Sequence, residues 1–347
     1  MISLLVVNYR SAALAAEAIR SARAASSEPL QAVVVDNSGD EGEVARLRPH
    51  ADVVVASPAN LGYAGGINLG RGQCRGETVI VSNPDVVFFP RAVDQLAAAL
   101  ASPRYAVAGP SFYWDDAQRW LFPPADEQTL PGRAGEVLAS RLRWWGRMRD
   151  RRRFRRRLAF WSLRETTSVR AISGAVMAIR LRDFDAFGGF DPRFPLYFEE
   201  IDFLRRVARA GREIAYVPAA RCRHLYNQSA GPARDVAAAA YAASELAYFS
   251  KWYGGATARL LKAMERPPRA AHHPICAGAF TLPRPGLVVE ASPLPSFATA
   301  AGHFPSTTEV RLPREVWESY KGEAVYLRAV EPGTGEVVAT CARHRID

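Results

Sequence analysis

Lysine is nearly missing from this chain: Lys251, Lys262 and Lys321 are the only three in 347 residues, so arginine carries almost all of the positive charge. Long apolar runs are missing as well. No stretch of about 18 or more apolar residues occurs, which excludes a bilayer-spanning helix. The four cysteines, Cys74, Cys222, Cys276 and Cys341, stand far apart with no metal-type spacing, and all four are read as reduced thiols. The opening MISLLVVNYR lacks a basic n-region and a small-residue cleavage site, so it is read as the first strand and not as a secretory signal. The expected location is the cytoplasm. A G-x-G-x-x-G fingerprint between the first strand and first helix is also lacking, which counts against a nicotinamide-dependent dehydrogenase.

What is present is an apolar content of 48%, enough to bury one large core or two smaller ones. ISLLVVNY, QAVVVDNSG, ADVVVAS and ETVIVSNPD are short β-branched runs, and helix-forming segments such as SAALAAEAIRSARA and RAVDQLAAALA are interspersed among them. That alternation predicts an α/β fold with a doubly wound, mostly parallel sheet. Ligands of such sheets bind beyond the carboxyl ends of the strands. Asn8, Asp36, Asn60 and Asp85 fall at those ends. Regularity lapses after Phe122 and resumes at VRAISGAVMAIRL. A helix then starts near Glu199, buries Phe203, Leu204 and Val207, and stops at Gly211. The strand EIAYVP leads to His224, and AAAAYAASELAYFSKWYGG is a closing helix. Composition shifts after Met264, where ERPPRAAHHP reads as a linker and AVYLRAVEPGTGEVVATCAR as a β-hairpin. The expected organisation is a domain over 1–264, with a basic insertion at about 133–161, followed by a linker and small β-rich module over 265–347.

Several residues could carry chemistry, and each has a plainer reading. Asp85 can bind Mg²⁺ or Mn²⁺, or it can serve only the Asn-Pro-Asp turn. Asp36 can accept from a nucleobase or a ribose, or it can cap a helix. The glycines of NLGYAGGINLG permit close backbone approach to a phosphate or sugar. Glu199 and Glu200 stand at a helix start, where acids are favoured by the helix dipole. They also point about 100° apart, so one of them could accept a proton while the other holds a second substrate. His224 alone suits a structural role as well as a ligand role.

Taken in order, VVNYR, VVVDNSGDEG, ANLGYAGGINLG, VSNPDV, ISGAVMAIR, GGFDPRFPLYFEEIDFLRRVARAG and AYVPAARCRH resemble the family 2 inverting GT-A glycosyltransferases, above all bacterial rhamnosyltransferases. They span most of residues 1 to 230. The resemblance implies transfer of a sugar from a nucleoside diphosphate sugar, such as dTDP-rhamnose or a UDP-sugar, to a saccharide or lipid-linked saccharide acceptor. It implies that Asp36 takes the base, with Asn8 and Tyr9 beside it. Asn60, Gly65, Gly66, Asn68 and Asn83 line the donor pocket, and Gly174 and Ala175 meet the transferred sugar. Asp85 and His224 hold the divalent cation, and Asp202 and Arg206 match the family pattern. The family commonly has Glu-Asp where this chain has Glu199-Glu200, so Glu200 takes the place of the base. Asn83 replaces the first acid of the D-x-D motif.

The segment RLRWWGRMRDRRRFRRR, from Arg141 to Arg157, holds ten arginines against one acid, Asp150, and so contributes +9 of the chain's +10. A helix there would be basic nearly all round, with tryptophans suited to a headgroup boundary. An anionic membrane at the inner face of the plasma membrane is the expected partner. A solvated loop, contact with a diphosphate, and nucleic acid are the competing readings. A non-catalytic membrane- or nucleic-acid-binding protein on a transferase-like fold is the alternative to an enzyme. The sequence leaves the oligomeric state open, a homo-oligomer included.

Overall fold

Valine- and isoleucine-rich runs form the centre of the molecule because such side chains fill both faces of a covered strand. The computed structural model describes residues 1–194, 196–225, 234–266, 273–276, 278–320 and 322–345; much of the expected linker, residues 267–272, lies outside them. The first elements alternate as read: β1 (Ile2–Asn8), α1 (Ala12–Ala24), β2 (Leu30–Asp36), α2 (Glu41–Leu47), β3 (Val53–Ala56), α3 (Gly62–Arg71), β4 (Thr78–Ser82), β5 (Val86–Phe88), α4 (Ala92–Ala101) and β6 (Tyr105–Tyr113). Two helices follow, α5 (Leu130–Arg141) and α6 (Arg143–Trp161). Then come β7 (Thr167–Val169), β8 (Val176–Arg180), α7 (Leu181–Ala186), α8 (Glu199–Arg209), β9 (Glu213–His224), α9 (Arg234–Tyr253) and α10 (Gly255–Met264). The C-terminal part holds β10 (Phe280–Thr281), β11 (Val288–Ser292), β12 (Ala301–His303), β13 (Glu309–Val310), α11 (Arg314–Ser319), β14 (Ala324–Val330) and β15 (Val337–His344).

The large sheet runs β3-β2-β1-β4-β8-β6-β9-β5, with β7 on β9. Its first four strands are parallel. From β8 onward the observed pairings are antiparallel, because β8 returns beside β4 from the opposite end. Successive strand residues face opposite sides. Leu5, Val7, Val33, Val35, Val79 and Val81 pack with Ile67 of α3, Phe184 of α7 and Phe203, Leu204 and Val207 of α8. The alternate residues Leu4, Val6, Ala32, Val34 and Ile80 are equally buried; α1 packs on β1, β2 and β5, and α4 on β8 and β9. The expected α/β sheet and C-terminal β module are both present.

The chain divides into two compact units: residues 1–112, 125–127 and 164–258, and residues 113–124, 128–163 and 259–347. The basic segment, expected as an insertion of the first domain, therefore belongs to the unit that contains the C-terminal strands. Its reason is a buried ionic network. Arg157 of α6 donates to Glu290 of β11 at 2.7 Å, and Arg328 of β14 donates to Glu290 at 2.6 Å and to Asp150 of α6 at 2.7 Å. Phe154 and Trp161 pack on Val288 and Val330 in the same unit. A four-stranded antiparallel sheet, β12-β11-β14-β15, forms its frame.

The expectation of four separate thiols needs correction. Cys276 and Cys341 form a disulfide across 65 residues of sequence, while Cys74 and Cys222 are free and buried. Sequence spacing hid this pair because the strand bearing Cys341 doubles back: Cys276 N–H donates to the Ala342 carbonyl at 3.0 Å.

Candidate functional site

The parallel registry sets Asn8 beside Asp36 at the carboxyl ends of β1 and β2. Both are fully buried. Asn8 Nδ2 donates to Asp36 Oδ1 at 2.7 Å and to Glu43 Oε2 at 2.9 Å, while Ser38 Oγ donates to Asp36 Oδ2 at 2.7 Å. Two side-chain donors thus hold the Asp36 carboxylate in place at the carboxyl end of β2. Glu43, unremarked in the sequence, also accepts from Ala12 N–H at the start of α1. Burial disfavours its charge, but the hydrogen bonds from Asn8, Arg46 and Ala12 together outweigh this and hold its carboxyl below the ordinary value. Tyr9 is exposed next door, with the Arg10 guanidinium 5.7 Å from its ring centre.

At the start of α3, Asn60 Oδ1 accepts from Gly62 N–H at 2.9 Å and shapes the turn. The glycines of this segment meet the protein's own frame. A Cβ at Gly65 would lie 2.8 Å from Leu61 Cβ, and one at Gly66 would lie 2.9 Å from Val7 and 3.1 Å from Asn37. Gly66 thus lets α3 sit close on β1 and the end of β2, while Gly65 makes room for Leu61 at the start of its own helix. Asn68 is a clamp: its Nδ2 donates to the Phe190 carbonyl at 2.7 Å and its Oδ1 accepts from Phe190 N–H at 2.9 Å. Between them Tyr63 places a buried hydroxyl that makes no hydrogen bond. Burial, and then the charges of Glu199, Glu200 and Asp85, push its pKa well up. Nothing in the sequence points to a role for Tyr63.

The Asn83-Pro84-Asp85 link carries the chain from β4 to β5 and so to the far side of the sheet. Asn83 N–H donates to the Ala175 carbonyl at 2.9 Å, which joins this link to the start of β8. Val86 pairs with His224, and His224 Nε2 lies 3.3 Å from Asp85 Oδ1. Next to Ala175, Gly174 meets α8: a Cβ there would be 2.8 Å from Glu200 Cγ. The sequence-predicted Asp85, His224, Asn83, Gly174, Ala175 and Glu200 are therefore linked through direct contacts or strand neighbours.

The first turn of α8 is held in a strained entry. Tyr197 and Phe198 have φ of 67° and 69°, a left-handed region unfavourable to aromatic residues. Glu199 is buried and Glu200 half-buried, and each keeps one carboxyl oxygen buried without a hydrogen-bond partner. Burial raises the pKa of both, and the Glu200 charge raises Glu199 further. Asp202 and Arg206 serve differently. Asp202 accepts from Arg206 at 2.9 Å, Trp252 Nε1 at 2.9 Å and Lys251 at 2.6 Å, and Arg206 also donates to the Gly189 carbonyl at 2.7 Å and to that of Phe187. This network fastens α8 to α9 and to the loop that Asn68 clamps. A separate cavity of about 460 Å³ lies along α8 between Ile201, Arg205, Arg209, Arg212 and Ser168; none of the site residues lines it.

The pair Asp85 and His224 offers one oxygen and one nitrogen donor at a spacing that a divalent cation can bridge. Among the described residues no three His, Cys, Asp or Glu side chains gather as a cation cage. The donor set therefore fits a cation that completes its shell with water and substrate oxygens, as Mg²⁺ commonly does.

The sequence model of "Glycosyltransferase like family 2" matches residues 1–265. The N-acetylglucosaminyl-diphospho-decaprenol L-rhamnosyltransferase of Mycobacterium tuberculosis is 30% identical over 232 residues, which are 62% of this chain and 73% of that protein. Among solved structures, the mannosyltransferase PcManGT from Pyrobaculum calidifontis, in complex with GDP-Man and Mn²⁺, aligns with a TM-score of 0.44 at 17% identity, covering 76% of this chain and 74% of its own. GalNAc-T7 with UDP, GalNAc and Mn²⁺ aligns with a TM-score of 0.45 at 13% identity, covering 100% of this chain and 72% of its own. On the extent of the family match and the identity to the mycobacterial protein, this chain is a glycosyltransferase of the family 2-like group.

Proposed function

We propose that this chain transfers a hexosyl group from a nucleoside diphosphate sugar to a hydroxyl of a saccharide or lipid-linked saccharide, with inversion at the anomeric carbon. The observation that carries the reading is the contact of Gly174 with Glu200 beside the Asn83–Ala175 bond, which brings a carboxyl group with a raised pKa to the same strand ends as Asp85 and His224. In this reading the reaction is carried within residues 1–264, apart from the basic segment, and 265–347 form an accessory module. The name of the mycobacterial relative supports L-rhamnose as the first sugar to test and a polyprenyl diphosphate saccharide as the first acceptor.

Each residue then has a task. Asp36, oriented by Asn8 and Ser38, accepts from the donor's base, with Tyr9 free to stack on it. Asn60, Gly65, Gly66, Asn68 and Asn83 shape the donor pocket, and Gly174 and Ala175 leave room for the sugar. Asp202 and Arg206 act as positioning residues for α8. Asp85 and His224 would hold a divalent cation, Mg²⁺ or Mn²⁺, which when bound offsets negative charge on the diphosphate. Glu200, as carboxylate, accepts the acceptor's hydroxyl proton while the acceptor oxygen bonds to the anomeric carbon from the face opposite the diphosphate. The anomeric C–O bond breaks and its electron pair leaves with the nucleoside diphosphate. Glu199 holds the acceptor. The experiment is transfer from dTDP-rhamnose and UDP-sugars to a polyprenyl diphosphate saccharide with Mg²⁺ or Mn²⁺ present. Product of inverted anomeric configuration is expected; retained configuration, or no turnover of any nucleotide sugar, would overturn the reading.

A further inference from the structure

We infer that the solvent face of α6 docks this protein on an anionic lipid surface. The fold sorts the helix by side. Phe154, Arg157 and Trp161 face inward and are buried. Arg157 spends its guanidinium on Glu290 at 2.7 Å and on the carbonyls of Phe297 and Ala298 at 2.9 and 2.7 Å. Asp150, the segment's one acid, bonds Arg328 on that inner side. At 100° per residue, Trp144, Met148, Arg151, Arg152, Arg155 and Arg156 fall within one arc of about 140°. All six are exposed, Trp144 to 62%. The arc thus carries four cations and no helix carboxylate. The hairpin turn after β14 marks its edge, where Arg155 reaches the Thr334 carbonyl at 3.4 Å.

Charge alone would suit a phosphate backbone as well as a leaflet. Trp144 and Met148 favour the leaflet, since a headgroup boundary accepts an indole ring and a thioether that water does not reward. Leu142, also exposed, adds to this apolar end just before the helix. The inference leans on the proposed lipid-linked acceptor for its purpose, because an enzyme held at the leaflet meets such acceptors directly. Its physical basis is independent of that reading.

The test is co-sedimentation of the full chain with phosphatidylglycerol and with phosphatidylcholine vesicles. Binding is expected to phosphatidylglycerol and to weaken with salt. A variant with Arg151→Ala, Arg152→Ala and Arg155→Ala should partition on the order of a hundredfold more weakly, at roughly fivefold per cation. The matching variant with lysine at the three positions should retain binding, and Trp144→Ala should lose several-fold with the salt dependence kept. An alanine variant that melts like the parent and binds phosphatidylglycerol equally would overturn the inference. So would equal binding to phosphatidylcholine, or displacement from vesicles by duplex DNA at lower concentration than by free phosphatidylglycerol. Turnover of a water-soluble donor is measured beside it: the alanine variant should keep the parent's rate. A parent without turnover would sink the transferase reading while leaving vesicle binding to decide this one.

Discussion

Gly174 and Glu200 share one space: a Cβ on the glycine would stand 2.8 Å from the glutamate's Cγ and 3.0 Å from its Cβ. The strand start therefore fixes where the proposed base can be. Gly174→Ala should push Glu200 aside by a fraction of an ångström and lower kcat about 10²-fold, since reactions of this kind tolerate little misplacement. Thermal melting and donor affinity should change far less, and both can be measured on the same preparation.

Asp85 and His224 make a separate prediction. His224→Ala leaves one protein donor for the cation, so the Mn²⁺ concentration giving half-maximal transfer should rise at least about tenfold. Asp85→Asn should raise it further, because the carboxylate brings the charge. Chelation of the native protein should abolish transfer, and added Mn²⁺ should restore it.

The adjacent pair Glu199 and Glu200 predicts two pH effects of opposite sign. Burial raises both groups above the ordinary glutamate value. A base must be ionised, so transfer should rise with pH through the pair's folded pKa values. Stability should move the other way. The folded state binds the protons more tightly than the unfolded chain, so the stabilisation is full below the unfolded pKa and is lost as pH climbs through the folded one. Denaturant melts of Glu199→Gln should show a shallower decline over that window than the parent.

Glu290 predicts the strength of the second unit. It is fully buried and accepts from both Arg157 and Arg328. Glu290→Ala removes the carboxylate that two buried cations share, leaving Arg157 with carbonyl acceptors and Arg328 with Asp150, and should destabilise that unit by about 3 kcal/mol. Its melting should show this while transfer by the first unit's residues at low temperature falls much less.

The parallel half of the sheet could be read from sequence because β1, β2 and β4 are buried on both faces and, like the edge strand β3, are rich in valine. Asn8 and Asp36 followed from that, since they end such strands, and Asp85 lies in the short link after β4. Other features depend on contacts that sequence order conceals. Asp202 looks like a ligand until Lys251 and Trp252, on a helix about fifty residues on, are seen to bond it. The sequence did not show that Asn68 and Gly66 also join α3 to Phe190 and to Val7. Tyr63 and Glu43 gave no signal, as each gains its meaning from burial beside distant carboxylates or amides. The arginine cluster was conspicuous, but which arginines point outward is decided by Glu290 and Arg328, more than a hundred residues downstream.

Glu200→Gln tests the account most directly. The amide keeps the shape of the side chain at the Gly174 contact and cannot accept the hydroxyl proton. With a nucleotide-sugar donor and its acceptor at saturation, kcat should fall roughly 10²- to 10⁴-fold, with donor binding unchanged. Transfer at the parent's rate by a folded Glu200→Gln protein would contradict it.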